Sequence, residues 1–323
     1  MRFAALGPVI LGLGALILTL LCLFAGSTKS FLPEFSLITV NTSQIGENLL
    51  SSSYITDHPE VTAIIDLFPQ EIQDDAEALL NAVIRRLGIH DFYTANLMTY
   101  CEGFYEPTAL PNASVSLGAI SKNFTYCSPR SADFQFDPRA ALQRDLNASG
   151  NSWLDVATDL DWPDEVDQGL QAVHIVQRVA FVVYCIAIGL IGLATLVSVV
   201  SILFSGRLSA CGNVLLAVLA FLVTVIASAL ATAVAVVGET AVNHYGEDVG
   251  ISATAGGKFL GLTWGATGAM LICVIWWSVD CCCGRRGRNK NKASRGEKQD
   301  SAYMVGKDLC IMALAEHPDI EGL

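Results

Sequence analysis

Residues 179–238 read VAFVVYCIAIGLIGLATLVSVVSILFSGRLSACGNVLLAVLAFLVTVIASALATAVAVVG, and Arg207 is the only charged residue among them. The apolar run on each side of Arg207 exceeds the roughly 20 helical residues that cross a hydrocarbon core. Two more uncharged stretches, Phe3–Thr28 and Phe259–Val279, have the same character. The sequence therefore predicts an all-α membrane fold built on a four-transmembrane-helix bundle.

The polar segments predict how the spans are oriented. All four Asn-x-Ser/Thr sequons lie between spans 1 and 2, at Asn41, Asn112, Asn123 and Asn147, and glycosylation would place that segment outside. A basic run follows the last span, where the positive-inside rule expects cytoplasm. The expected divisions are a cytoplasmic N-terminus (1–2), transmembrane helices (3–28, 179–204, 211–238 and 259–279), an extracellular glycosylated domain (29–172), a cytoplasmic loop (205–210), a short extracellular loop (239–258) and a cytoplasmic basic tail (280–323).

The first apolar stretch is open to two interpretations. Met1-Arg2, an apolar core and the small residues Ala25-Gly26-Ser27 resemble a secretory signal with its cleavage site. The core is longer than the ~7–15 residues typical of such signals, so we favour a retained signal-anchor over a cleaved signal. Either outcome leaves the following domain outside and the tail inside.

The charge of the predicted extracellular domain excludes one class of partner. Between Ser27 and Gln177 the chain has seven basic and twenty-one acidic residues, a net charge of −14. Such a surface repels nucleic acid, which we exclude as a partner. An acidic, glycosylated surface suits contact with a cell wall, although plain solubility explains the charge equally well.

The two cysteines of this domain, Cys101 and Cys127, are expected to pair. In an oxidising compartment a lone pair of cysteines forms a disulfide, which would stabilise the domain by roughly 3–4 kcal/mol in the chain-entropy model. A catalytic thiol is the alternative, but the sequence offers neither a Cys-x-x-Cys motif nor a basic setting. Aromatic residues cluster around both cysteines, and we interpret them as core packing.

Helical periodicity dominates the rest of this domain. The clearest amphipathic pattern runs from Ile72 to Leu87, and a second short helix is expected to start at Asp137. A third helix begins after Pro163 and continues unbroken into the second span. We therefore expect a large, disulfide-closed and mainly helical extracellular loop between spans 1 and 2, with His90-Asp91 at a loop surface.

Cysteines and cations also mark the cytoplasmic end of the last span. A juxtamembrane cysteine trio beside a basic run is typical of S-palmitoylation combined with binding of anionic lipid headgroups. Unmodified, reduced thiols are the alternative. The palmitoylation candidates are Cys281, Cys282 and Cys283. The lipid-headgroup candidates are Arg285, Arg286, Arg288, Lys290 and Lys292.

Within the spans the sequence offers packing motifs and no catalytic chemistry. Gly257, Gly261 and Gly265 form a four-residue ladder that lets helices approach closely, and we favour packing inside the bundle over lateral self-association. No phosphate-binding loop, nucleophile elbow or metal-ligand spacing is present. We therefore expect no enzyme, catalytic residue, metal or cofactor.

Three short segments together resemble one protein family. They are LGIHDFY at 87–93, YCEGFY at 100–105 with the second cysteine at Cys127, and FQFDP at 134–138. In a glycosylated loop after the first of four spans, they resemble the fungal Sur-seven/PalI family. The topology is also similar to that of claudins, which have a disulfide in the same loop, but the closely spaced claudin cysteine motif is absent.

The family resemblance implies a function. It implies a non-enzymatic organiser of an eisosome-type plasma-membrane microdomain, linked to cell-wall integrity, endocytosis and membrane lipid organisation. The implied partners are anionic or sphingolipid-rich membrane lipids, other copies or other microdomain proteins, and the cell wall. The PalI branch implies an alternative, an accessory subunit of an alkaline-pH-sensing receptor complex. PalI-like members tend to have a longer tail and a smaller outer loop, so the organiser is favoured.

Overall fold

Four helices dominate the part of the chain that the computed structural model describes, which is residues 6–44, 89–107, 116, 119–132, 134, 141, 144, 164–203, 207–246 and 250–283. The helices are α1 (Leu6–Phe24), α2 (Asp164–Leu203), α3 (Arg207–Gly246) and α4 (Gly257–Cys283). Each is long and apolar enough to cross a membrane, and each overlaps one predicted span. Residues 1–278 form one compact unit and residues 279–323 a second.

The outer faces of these helices are apolar, as a lipid environment requires. Ile10 is 67% exposed, Leu196 65% and Leu215 73%, each on a different helix. Exposed apolar faces of this extent would aggregate in water but match hydrocarbon. The chain is therefore a multi-pass membrane protein, and as predicted one helix begins at Asp164 and continues into the second span.

The expectation of an all-α fold with a mainly helical loop is wrong for the described residues, because they also form a five-stranded antiparallel sheet. Its strands are β1 (Ile38–Asn41), β2 (Phe92–Ala95), β3 (Tyr100–Glu106), β4 (Ser121–Cys127) and β5 (Ser252–Ala255), in the order β4-β3-β2-β1-β5. Aromatic residues and threonine favour these strands. Each strand has only four to seven residues, which are too few for an alternating apolar pattern to identify it in the sequence.

Two of the predicted extra helices fall partly or wholly outside the described residues. The amphipathic pattern from Ile72 to Leu87 lies entirely outside them. Of the short helix predicted to start at Asp137, only Ala141 and Arg144 are described, and both are helical.

The sheet packs directly on one end of the helix bundle. Leu37, before β1, and Leu97, after β2, share a buried cluster with Tyr184 of α2 and Phe259 of α4. A turn between β5 and α4 completes the junction, where the Gly256 N–H donates to the Leu37 carbonyl at 2.9 Å. A Cβ at Gly256 would lie only 1.6 Å from the Ser36 carbonyl oxygen, so the close approach requires glycine.

Candidate functional site

The family-like segment around Cys101 lies in β3, where a disulfide joins it to the edge strand β4. Cys101 and Cys127 are directly opposite in the β3–β4 pairing, with Cα atoms 4.0 Å apart and an S–S distance of 2.04 Å. The Cys101 sulfur is buried and lies 3.3 Å from the Gly26 carbonyl oxygen, in the turn after α1. The disulfide therefore lies where the outer strands meet the end of the first helix.

An aromatic core under β3 explains the glycine in YCEGFY. The Phe92 ring is fully buried, with its centroid 5.0 Å from that of Tyr105 and 5.1 Å from that of Phe124. The β3–β4 register shifts between Glu102 and Gly103. A Cβ at Gly103 would lie 2.0 Å from the Asn123 carbonyl oxygen and 2.8 Å from the Phe92 ring, so no other residue fits without rearrangement.

The glutamate of the same segment forms a buried ion pair that the sequence did not reveal. Glu102 is 3% exposed, and its carboxylate pairs with the Arg144 guanidinium. Arg144 also lies over the rings of Tyr126 at 4.5 Å and Tyr100 at 5.2 Å. His90 Nδ1 is 3.9 Å from the Glu102 carboxylate. One charged cluster therefore ties the helical residue Arg144 to the sheet.

His90-Asp91 does not lie at a loop surface as predicted, because Asp91 is 5% exposed. The Asp91 carboxylate accepts the Tyr105 backbone N–H at 2.9 Å, and its backbone pairs with Gly103 and Thr42. The bond from Tyr105 compensates the carboxylate in part for lost solvent. Burial, with a further contribution from the Asp91 charge, raises the pKa of Tyr105.

Polar contacts dock the β2–β3 turn on the helices. The Gln177 side chain of α2 donates to the Asn96 carbonyl at 3.1 Å, and the Thr99 hydroxyl donates to the Gly26 carbonyl at 2.9 Å. The Asn96 side chain is fully buried, and among the described residues neither of its polar atoms has a hydrogen-bond partner. The hydrogen bonds to Gly26 and from Gln177 therefore hold the β2–β3 turn between the end of α1 and α2.

The sequons differ in their settings. Asn123 is exposed on the edge strand β4, and its amide donates to Glu106 at 2.6 Å. Asn41 is half-buried in β1, between β2 and β5, and its side-chain oxygen accepts the Ser43 N–H at 3.0 Å and the Ser43 hydroxyl at 2.8 Å. Asn112 and Asn147 lie outside the described residues. Asn123 therefore has the more accessible setting of the two.

The glycine ladder of α4 lies mostly on the outside of the bundle. A Cβ added at Gly257 or Gly261 would meet nothing within 4 Å, and one at Gly265 would lie 3.7 Å from Leu18 of α1. The predicted close approach inside the bundle is therefore not found at Gly257 and Gly261, which face away from the other helices.

Hydroxyl groups connect the helices at a different place. The Ser228 hydroxyl of α3 lies 2.8 Å from those of both Thr263 and Thr267 of α4, and Thr263 lies 2.6 Å from the Tyr184 hydroxyl of α2. All four side chains are buried. We call these four residues the hydroxyl cluster, which bonds three helices together.

The lipid-facing candidates at the end of α4 are only partly described. Cys281, Cys282 and Cys283 form the last residues of that helix, and Cys281 is exposed. The five basic candidates, Arg285, Arg286, Arg288, Lys290 and Lys292, lie outside the described residues.

The chain resembles one protein family along most of its length. A family model described as SUR7/PalI matches residues 4–276. The SUR7 family protein pun1 of Schizosaccharomyces pombe is 25% identical over 181 residues, which cover 53% of this chain and 57% of that protein. The match thus spans less than two thirds of the relative. No solved structure matches the chain.

Proposed function

The chain belongs to the SUR7/PalI family, and from that premise we propose that it is a non-enzymatic organiser of an eisosome-type plasma-membrane microdomain. Family membership indicates a microdomain-associated membrane protein. The finer role is the proposal: the protein holds a static patch of membrane and links it to cell-wall integrity, endocytosis and lipid organisation.

The exposed glycines of α4 carry this proposal. Gly257 and Gly261 lie on the lipid-facing surface with open space in front of them, and Trp264 beside them is 47% exposed. In lipid, small residues let a second helix approach closely, so that dispersion contacts replace contacts with lipid tails. This face suits lateral association with another copy or another microdomain protein.

The proposed orientation places the sheet outside and both termini in the cytoplasm. Helix α1 ends and α4 begins beside the sheet, so their other ends point away from it. Two sequons, Asn41 and Asn123, lie in strands of the sheet. Glycosylation at either would put the sheet in the lumen during synthesis and outside the cell afterwards. The basic tail would then face the cytoplasmic leaflet, as the positive-inside rule expects.

At the cytoplasmic surface, the cysteine trio and the basic run would act on lateral distribution. Each Arg or Lys near an anionic leaflet contributes about 1 kcal/mol of attraction, and palmitoyl chains would add affinity for ordered lipid. Four spans anchor the chain in any case. Neutralising Arg285, Arg286, Arg288, Lys290 and Lys292 should therefore change the distribution without releasing the protein.

Fluorescence recovery of a C-terminally tagged protein in fungal cells tests the organiser. The wild type should form immobile cortical patches, and Gly257→Leu/Gly261→Leu should disperse them, because added bulk blocks close approach. Gly189→Leu is the matched control, since Gly189 of α2 also faces open space. A uniformly mobile wild-type protein, or equal dispersal by the control, would contradict the proposal.

Lys122 favours a second candidate, the accessory subunit of an alkaline-pH-sensing receptor. Burial lowers the pKa of this lysine below its ordinary value, while nearby Glu34 raises it and Lys258 lowers it. A group of this kind changes charge where a neutral-range histidine no longer does. Loss of alkaline-pH growth alone in a deletion strain, with normal resistance to wall stress, would favour this candidate over the organiser.

A further inference from the structure

A cleft of about 700 Å³ opens where the sheet meets the end of the helix bundle. The loop after α1 forms one wall, with Lys29, Leu32, Glu34 and Phe35, and strand β4 forms the other, with Lys122, Phe124 and the sequon residue Asn123 between them. The cleft therefore combines cations with apolar and aromatic walls, a combination that suits an amphipathic anion.

Three lysines far apart in the sequence converge on this cleft. Lys29, Lys122 and Lys258 are the only lysines before Lys290. The first two line the cleft, and Lys258 pairs with the Glu34 carboxylate at its wall, with Nζ 5.9 Å from the Phe35 ring centroid. They converge although the surrounding domain has a net charge of −14. The cleft is thus a cationic spot on an acidic surface.

Lys122 is the least exposed of the three. Its side chain reaches from β4 across the sheet, passing over the Phe92 ring at 5.4 Å, and its Nζ lies 3.1 Å from the Thr39 hydroxyl of β1. No carboxylate of the described residues forms an ion pair with it. Burial lowers the pKa of Lys122, and an anion in the cleft would offset that cost.

The wall of the cleft formed by residues 29–35 lies beside the sheet-side ends of two spans, where lipid headgroups would begin. The membrane-spanning part of α1 ends at Phe24, five residues before Lys29, and that of α4 starts at Gly257, beside Lys258. In the loop after α1, Phe31 is 40% exposed, and Leu32 has a left-handed φ of 48°, which residues other than glycine seldom adopt. An exposed apolar ring beside the end of a span suits the boundary between headgroups and acyl chains.

From these observations we propose that the cleft binds the phosphodiester headgroup of an anionic phospholipid from the leaflet on the sheet side of the membrane. Lys122 and Lys29 donate hydrogen bonds to the phosphate oxygens, and Phe35 and Phe124 contact the apolar stem of the lipid. Lys258 pairs with the Glu34 carboxylate and so reduces its repulsion of the phosphate. The site does not depend on the organiser role, since a lipid can bind here in a protein that forms no patches.

Binding of a short-chain lipid to the purified full-length chain in detergent tests the site. The probes are dihexanoyl phosphatidylglycerol, its zwitterionic phosphatidylcholine equivalent and inorganic phosphate, titrated by thermophoresis. Neutralising the basic run of the tail, Arg285, Arg286, Arg288, Lys290 and Lys292, in a parallel series reduces binding of the anionic lipid to the tail. We expect the anionic lipid to bind the tail-neutralised protein more tightly than the other two probes.

Single substitutions locate the binding. Lys122→Gln should weaken the anionic lipid about tenfold, as expected for one charge-assisted hydrogen bond, and Lys29→Gln should act in the same direction. Glu34→Gln should tighten binding of the anionic lipid, because it removes a carboxylate that repels the phosphate. Arg130→Gln is the matched control, because it removes an exposed charge just after β4 without touching the cleft.

The outcomes distinguish the existence of the site, the identity of its ligand and the organiser role. Unchanged affinity in folded Lys122→Gln, or equal weakening by Arg130→Gln, overturns the site. If Lys122→Gln fails to fold, the affinities of Lys29→Gln and Glu34→Gln for the anionic lipid decide. The proposed site is overturned if neither affinity differs from that of the wild type. Equal binding of inorganic phosphate and the anionic lipid overturns the lipid assignment and leaves a phosphate site. If the tagged wild-type protein forms no patches in fungal cells but the purified protein binds the anionic lipid, the organiser role is contradicted and the lipid site is not.

Discussion

The helix bundle and the sheet are held together in different ways. In the bundle, small residues and shared hydroxyl groups make the contacts, and Ser228 has two alternative partners in Thr263 and Thr267. In the described part of the sheet, individual contacts carry the structure: the Cys101–Cys127 disulfide, the Glu102–Arg144 ion pair and the close approach of strands that glycine allows at Gly103.

The difference reflects how each region satisfies its backbone. A helix in lipid makes all its backbone hydrogen bonds internally, so one lost side-chain contact leaves the helix intact. The sheet must bring together strands from before α2 and from between α3 and α4, and few residues hold those distant segments in register. Damage to the sheet should therefore be large and cooperative, and damage to the bundle small.

The largest effect is expected from the disulfide. Cys101→Ser, Cys127→Ser and the double variant should each lose roughly 3–4 kcal/mol of stability, because removing either partner opens the same loop. Denaturant unfolding in detergent without reductant measures this. Cys185→Ser, an exposed cysteine of α2, should be near neutral. Additive losses in the double variant would show that the two cysteines act separately.

Gly103 should be next in size. Gly103→Ala places a Cβ against the Asn123 backbone, which cannot move aside as a side-chain end can, and should cost about 1–3 kcal/mol. The same measurement applies. Gly189→Ala, in open space on a helix, should be neutral or stabilising. A tolerated Gly103→Ala would mean that the β3–β4 bulge is not a tight junction.

The buried ion pair comes third. Arg144→Gln removes the guanidinium from the buried Glu102 carboxylate, and we expect a loss of about 1–2 kcal/mol, discounted because the Arg144 side chain is about a third exposed. Adding Glu102→Gln should recover part of the loss, since no buried charge then needs compensation. If the double variant is less stable than Arg144→Gln, the pair is not the source of the effect.

The same contrast explains what the sequence could predict. Length and apolar character identify the four helices, and Pro163 with Asp164 marks the start of α2, because these signals are local. β5 was missed because Ser252–Ala255 has only four residues, and its partner β1 lies before the second span. The burial of Glu102 depends on Arg144, 42 residues later, which no local pattern connects to it.

The candidate sites also differ in whether a local sequence pattern can reveal them. The family-like segment could be found because YCEGFY is contiguous, whereas the cleft could not, because Lys29, Lys122 and Lys258 meet only in the folded chain. The α4 glycines show a related limit. Their spacing predicts a packing face, but only the structure shows that Gly257 and Gly261 face outward.

A bundle substitution tests the other half of the comparison. Ser228→Ala removes one hydroxyl from the hydroxyl cluster, and we expect a loss of only about 0.6 kcal/mol, because Thr263 keeps its bond to Tyr184. The measurement is again unfolding in detergent, with Thr240→Ala, an exposed hydroxyl at the end of α3, as control. A loss as large as that of Cys101→Ser would break the distinction between the two regions.

The smallest effect concerns pH, and it should be confined to the sheet. Burial lowers the pKa of Lys122 in the folded protein below its ordinary value, while Glu34 and Lys258 act in opposite directions. Between that lowered pKa and the unfolded value of about 10.4, the unfolded chain binds more protons. The contribution of Lys122 to stability should therefore rise with pH across that window. Tyr105 acts oppositely and mainly above about pH 10, because its folded pKa is raised.

Comparing wild type with Lys122→Gln at each pH isolates the lysine, since Tyr105 and every other titrating group are common to both. The difference in unfolding free energy, wild type minus variant, should become more favourable to the wild type as the pH rises from the lowered pKa of Lys122 towards the unfolded value of about 10.4. The corresponding difference for Ser228→Ala should stay flat, because that substitution removes no titratable group. A flat difference for Lys122→Gln would mean that the lysine is solvated in the cleft, and that the sheet differs from the bundle by its covalent and steric contacts alone.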